Sequence, residues 1–339
     1  APAPTPEAQA VHAPETVAPR SSTPTSPPET PASPSAIPTS LPETPVPLSG
    51  PPTPLPAATV TASAAPSKTS IPDEGELRAT VVAGLPPTPT PDASGGTLRG
   101  EVDAGVLQLS VTEGAPPLWA VYTQGMGIYD PEQGHFVAIY THDGQDWLEL
   151  DRVVLTSCAE YVGSESLAQV ELEPSRTWLE LQSGTGAHSG CYDLFSFDGQ
   201  SLRLEVSNWH SSPGAGWSED LDGDGSPEVI LDLTDDYVFC YACGVRLPAF
   251  QVLQWNGEQL VEVELTSLPE AAPTELKGLN DRAVELARAG LWADALEAIT
   301  QARAQDVQQP EWAETVSWNE ALIRLQADAL TDQLRDARY

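Results

Sequence analysis

The sequence predicts a mainly β fold of about three propeller-like antiparallel repeats, followed by a small α-helical element and preceded by a long extended segment. Three observations carry this. Of the 34 prolines, 24 fall in the first 100 residues. From there to residue 268, short alternating runs of β-branched and aromatic residues are broken by turn dipeptides, the pattern of antiparallel sheet. After Pro273 the apolar spacing becomes helical. The chain divides accordingly into residues 1–91, 92–268 and 269–339.

Residues 1–91 are rich in Pro, Thr, Ser and Ala, with scattered Glu and almost no aromatics. Such a chain cannot bury enough apolar surface to offset the entropy of ordering, so a disordered, polyproline-like spacer is expected. Its use is reach, holding a folded head away from an anchoring surface. Its hydroxyls offer attachment points for O-linked sugars.

The β region contains an internal repeat. Runs 137–150, 192–206 and 250–263 each place a turn dipeptide between two strand-like stretches: Asp143-Gly144, Asp198-Gly199 and Asn256-Gly257. These pairs supply the left-handed backbone that a two-residue hairpin demands, and they recur at spacings of 55 and 58 residues. An apolar strand precedes each hairpin, beginning at Leu118, Trp178 and Val229. Units of this size are blade-like.

Between Asp220 and Glu228 the chain reads Asp-Leu-Asp-Gly-Asp-Gly-Ser-Pro-Glu. Residues 219–236 hold eight acids and no Lys or Arg, so gathering them is repulsive unless a cation arrives. Asp220, Asp222 and Asp224 take the first, third and fifth positions of a hard-cation loop. Gly225 allows the turn, Ser226 offers its carbonyl, and Glu228 closes the shell around Ca2+. Leu231, the twelfth position of a helical EF-hand loop, cannot ligate, and the following Val-Ile-Leu-Asp-Leu leads into a strand. In these residues the segment resembles the calcium loops of FG-GAP and VCBS-type β-repeat proteins. That resemblance covers roughly half of the chain, with the acidic loop in the third unit only, and it implies a structural ion that pins a turn.

In the last region Leu276, Leu279, Ala283 and Leu286 share a helical face, and Gly290 breaks the helix. Leu291, Ala295, Ile299 and Ala302 form a second face, and a third helix is expected from about Glu311 to Arg335. The run from Gly290 through Trp292 and Ala295 to Ala302 resembles a tetratricopeptide hairpin. One and a half such repeats make no groove, since stacked repeats need about three units for stability. A cap docked on the β region or on a neighbouring subunit is expected.

Four cysteines, an even number in an acidic β protein, favour disulfides, with Cys158–Cys191 and Cys240–Cys243 the preferred pairing. The second requires a bend at Tyr241 and Ala242. A zinc site normally takes two close Cys pairs, and here there is one Cys-x-x-Cys with two singletons. The histidines, His12, His135, His142, His188 and His210, form no spaced ligand pair. Gly-x-Ser-x-Gly is absent, and in a chain with 49 acids carboxylate pairs discriminate nothing.

With a formal charge of −34 and two lysines, the chain is a poor partner for nucleic acid or anionic lipid. It has no apolar run long enough to span a bilayer, and its start at Ala1 is what a secreted protein or lipoprotein would show after processing, and equally what a trimmed cytosolic protein would show. A membrane contact would then run only through a removed N-terminal anchor. The expected function is that of a non-catalytic, extracellular or cell-surface, calcium-stabilised interaction or structural module with a protein or glycan partner. The alternatives are a subunit of an extracellular filament or self-assembly, docking through its arm and helices, and a glycan-active enzyme. Trp147, Trp209, Trp217 and Trp255 are candidates for a sugar platform, weighed against filling the core.

Overall fold

The computed structural model describes residues 73–85, 103–112, 114–126, 134–156, 158, 160–185, 189–240 and 245–336. Most of the expected spacer lies outside them. So do Cys243 and the side chain of Cys240, and with them the second expected disulfide.

One correction concerns the spacer. Residues inside it form helix α1 (Glu74–Gly84). Asp73 caps it by accepting the Gly75 N–H at 2.9 Å, and Leu77 and Val81, four apart, give it a buried stripe. The Pro-rich composition on either side hides this short amphipathic run.

The β region is mainly antiparallel. Strands β1 (Asp103–Leu109), β2 (Leu118–Met126), β3 (Phe136–His142), β4 (Trp147–Val154), β5 (Tyr161–Val170), β6 (Thr177–Thr185), β7 (Ser189–Phe197) and β8 (Leu202–His210) form one sheet. Its order is β4-β3-β2-β5-β6-β7-β8, with β1 also paired to β2. The sheet curls into a half-barrel. Side chains from one face of strands along its whole width, from Val153 and Ile139 through Tyr122 and Leu181 to Phe195 and Leu202, meet in a single core. Across the seam, Asp151 Oδ2 of β4 accepts the Leu202 N–H of β8 at 2.8 Å.

Strands β9 (Gly216–Glu219), β10 (Glu228–Asp232), β13 (Phe250–Trp255) and β14 (Leu260–Glu262) form a second sheet in the order β14-β13-β10-β9. Strands β11 (Val238–Cys240) and β12 (Val245–Arg246) form a small ribbon between β10 and β13 in sequence. The second sheet is covered on both faces. On one, Val229, Leu231 and Trp255 pack on Trp178, Tyr192 and Leu194 from the outside of the half-barrel. Gly216 is required there, because a Cβ would stand 2.8 Å from the Tyr192 ring. On the other, Ile230 and Val252 meet Trp318.

All three predicted hairpins are present: β3–β4, β7–β8 and β13–β14. The first two lie in the half-barrel and the third in the second sheet. Their turns are one residue pair longer than a two-residue hairpin, with flanking pairs His142↔Trp147, Phe197↔Leu202 and Trp255↔Leu260. In each, the Asp or Asn side chain does the closing. Asp143 Oδ1 accepts the Gln145 and Asp146 N–H groups, Asp198 Oδ1 those of Gln200 and Ser201, and Asn256 Oδ1 those of Glu258 and Gln259. The glycine that follows supplies the left-handed backbone, φ 99° at Gly144.

Three helices complete the fold: α2 (Thr274–Arg288), α3 (Trp292–Arg303) and α4 (Pro310–Asp336). Gly290, at φ 77°, turns the chain between the first two. Ala283, Ala287, Ala295 and Ala302 let α2 and α3 approach closely, with Val316 and Ile323 of α4 against them. The opposite stripe of α4 docks on the second sheet through Trp318, Leu322 and Leu325. A buried network fixes this cap: Asn319 Nδ2 donates to Asn280 Oδ1 (2.8 Å) and to Thr266 O (2.7 Å), and Thr266 N–H donates to Asn319 Oδ1 (2.9 Å).

Candidate metal centre

The loop joining β9 to β10 folds around its own carboxylates. Asp220 accepts the Gly223 N–H on Oδ1 (2.8 Å) and the Gly225 N–H on Oδ2 (3.1 Å). Asp222 Oδ1 accepts Asp224 N–H (3.0 Å), and Asp224 Oδ1 accepts Ser226 N–H (2.7 Å). Gly223 and Gly225 stand at φ 83° and 93°, a region L side chains rarely enter. The result brings oxygens of Asp220, Asp222 and Asp224 within 4.8 Å of one another, and the loop runs directly into β10 as the sequence predicts.

Glu228, the first residue of β10, has no solvent exposure. Its Oε2 accepts the Leu221 N–H (3.0 Å), tying the start of the loop to its end. Its Oε1 is buried without a hydrogen-bond partner. Burial, reinforced by the charges of Asp222, Asp224 and Asp220, pushes its pKa up to about 7. Burial also raises Asp222, with Asp224, Asp220 and Glu314 adding to the effect. Three converging carboxylates offer the oxygen donors a hard divalent cation takes; Glu228, tied to the same loop through Leu221, is not among the three whose oxygens gather within 4.8 Å. Ser226, the fifth candidate, is exposed at the loop's end, where its N–H is taken by Asp224.

Cys158 and Cys191 are joined in a disulfide that closes a separation of 33 residues and ties the bend before β5 to β7. Of the four tryptophans considered as a sugar platform, three pack edge-on against another aromatic: Trp147 on Trp119, Trp255 on Trp178 and Trp217 on Phe250. Trp209 remains 52% exposed. His142 Nδ1 accepts the Gly144 N–H in the first hairpin turn, and His135 pairs with the buried Thr123 hydroxyl.

The burial of two groups was not foreseen from the sequence: His210, named there only as a lone histidine, and Asp193. His210 Nε2 lies 3.3 Å from Asp235 and 3.7 Å from Asp232, while Ser211 Oγ donates to Asp235 (2.7 Å). The serine is therefore bound to the acid and not to the imidazole, unlike a nucleophile paired with its base. Asp193, inside the half-barrel, is raised to about 6 by burial. Nothing in the sequence marked it, because β7 is buried on both faces and shows no alternation.

No family model, no curated protein and no solved structure matches this chain.

Proposed function

We propose that this chain is a non-catalytic, calcium-stabilised β-repeat module that acts in interaction or structure at an extracellular or cell surface. The observation that carries the reading is the loop: Asp220, Asp222 and Asp224 converge beside Glu228, whose second carboxylate oxygen is buried and unpaired. Together with the strand that follows, this supports the likeness to FG-GAP and VCBS-type calcium loops. The Cys158–Cys191 bridge supports an oxidising compartment. Bound there, calcium would neutralise the loop and fix the entry to β10, the strand buried on both faces at the middle of the molecule.

The test is thermal unfolding with and without calcium, for the wild type and an Asp222→Ala, Asp224→Ala double variant. A calcium-dependent rise in midpoint that the substitutions abolish supports the reading, because a ligand bound to the folded state alone stabilises it by mass action. No shift at millimolar calcium leaves the loop a solvated acidic turn and returns weight to an assembly subunit.

A further inference from the structure

The third hairpin turn departs from the other two at one residue. Where they place Asp143 and Asp198, it places Asn256, before the same glycine and with the same closure. The N–H groups that close these turns favour negative charge on the oxygen they meet. Those of Asp146 and Gln145 hold the Asp143 carboxyl below the usual carboxylate range, and those of Ser201 and Gln200 do the same for Asp198. At Asn256 the matching pair, from Glu258 and Gln259, stands 3.0 Å from Oδ1 of a neutral amide. It is a preformed oxyanion site on a carbon that a nucleophile can attack.

The nucleophile is the next residue in the chain. The Gly257 N–H takes no part in closing the turn, and its nitrogen reaches Asn256 Cγ by closing a succinimide ring. Both residues are exposed, and nothing lies within 4 Å of the position a Gly257 Cβ would take, so water and hydroxide have access.

The other three asparagines of the chain are placed differently. Asn280 and Asn319 are fully buried inside α2 and α4, where the following N–H is committed to the preceding helical turn, and each donates Nδ2 to Thr266 O. Asn208 donates Nδ2 to Ala215 O and Asp232 O and precedes the bulky Trp209. Asn256 engages through its oxygen, which leaves its amide nitrogen able to depart.

We propose that the Asn256–Gly257 turn is a self-modifying site, which converts in water to aspartate and isoaspartate without an enzyme. Hydroxide takes the Gly257 amide proton and the nitrogen bonds to Asn256 Cγ, placing the oxyanion on Oδ1 between the Glu258 and Gln259 N–H groups. Collapse breaks the Cγ–Nδ2 bond, and the nitrogen leaves as ammonia with a proton from water, which regenerates hydroxide. Water then opens the ring. Attack at Cγ leaves an aspartate, the residue the sibling turns already use. Attack at the backbone carbonyl carbon leaves isoaspartate, which lengthens the main chain between Trp255 and Leu260, the pair that flanks the turn and packs on the half-barrel.

The test is incubation of the full chain at neutral and mildly alkaline pH, with the same chain unfolded in urea alongside, followed by peptide mapping for the amide-to-acid mass change and for isoaspartate. In the folded chain Asn256 is expected to convert roughly tenfold or more faster than any other asparagine, and at least as fast as in urea, because folding supplies the oxyanion donors. The rate should rise with pH. Asn256→Asp should keep the wild-type urea midpoint, since the sibling turns close in the same way on aspartate. Conversion in urea with little in the folded chain would show that the turn protects its amide, and that result overturns the proposal. So does conversion spread evenly over the four asparagines of the folded chain, or none in either sample.

Discussion

Burial takes Glu228 out of water, with Asp222, Asp224 and Asp220 adding to the effect, and its proton affinity rises to a pKa of about 7 from an ordinary 4.5. A carboxylate whose folded pKa is raised stabilises the fold in its protonated form. That contribution is full below about 4.5 and is lost as pH climbs towards 7. At about 1.4 kcal/mol per unit, the shift corresponds to roughly 3 kcal/mol. Asp193 works in the same direction, from 3.8 to about 6, with Ser207 opposing. Ion-free protein should therefore lose stability between about pH 4 and 7. Calcium should cancel the part due to Glu228, and Glu228→Gln should flatten that part without calcium. Asp193→Asn should raise stability at pH 7 whether or not calcium is present. Urea midpoints across that pH range, in EDTA and in calcium, separate the two; a slope unchanged by both substitutions would refute the assignment. The spacing of Asp220, Asp222 and Asp224 was legible because ligand alternation is local. The burial of Glu228 was not, because it depends on α4 and the half-barrel closing over β10 from opposite sides.

The three hairpin turns are the same device used three times. Each Asp or Asn accepts two backbone N–H groups that would otherwise face the turn unpaired. Asp198→Ala and Asn256→Ala should each cost about 1–2 kcal/mol. The two turns lie in different sheets, so the double variant should lose the sum, measurable as additive shifts in urea midpoint. A strongly non-additive double variant would mean that the turns are coupled through the packing of the sheets. The disulfide acts at the same scale: a bridge across 33 residues restricts the unfolded chain. Cys158→Ser with Cys191→Ser should cost about 3 kcal/mol on chain-entropy grounds, read from the same titration. The turns, the strands before them and the C-terminal helices were readable, because Asp-Gly, Asn-Gly and a 3.6-residue period act within a few residues. Helix α1 was not, since its two anchoring residues Leu77 and Val81 sit in a short proline-free run between proline-bearing stretches. Nor was the longer turn, whose closure comes from a side chain and not from backbone geometry alone.

The layers are a different matter, because strand partners are chosen over long distances. Strand β7 is buried along nearly its whole length, and β10 from Glu228 to Leu231, so neither shows the alternation that would assign its faces. The reason is now visible. The second sheet is a middle layer, with the half-barrel on one side and α4 on the other, and β10 is central to it. The half-barrel and the helices each have a core of their own, but both also lean on the same middle layer. Ile230, fully buried, belongs to the helix-facing side, while its neighbours Val229 and Leu231 belong to the barrel-facing side. Loosening one side therefore disturbs the strand that serves the other. Trp318→Ala, which empties the contact between α4 and Ile230, should cost about 3–5 kcal/mol. It should also lower the whole transition together: helical ellipticity at 222 nm and the near-ultraviolet signal of the packed aromatics should shift to the same new midpoint. If the helical signal disappears at lower denaturant than the aromatic one, the cap is a separate unit resting on a self-sufficient β body. In that case the middle layer owes its stability to the half-barrel alone.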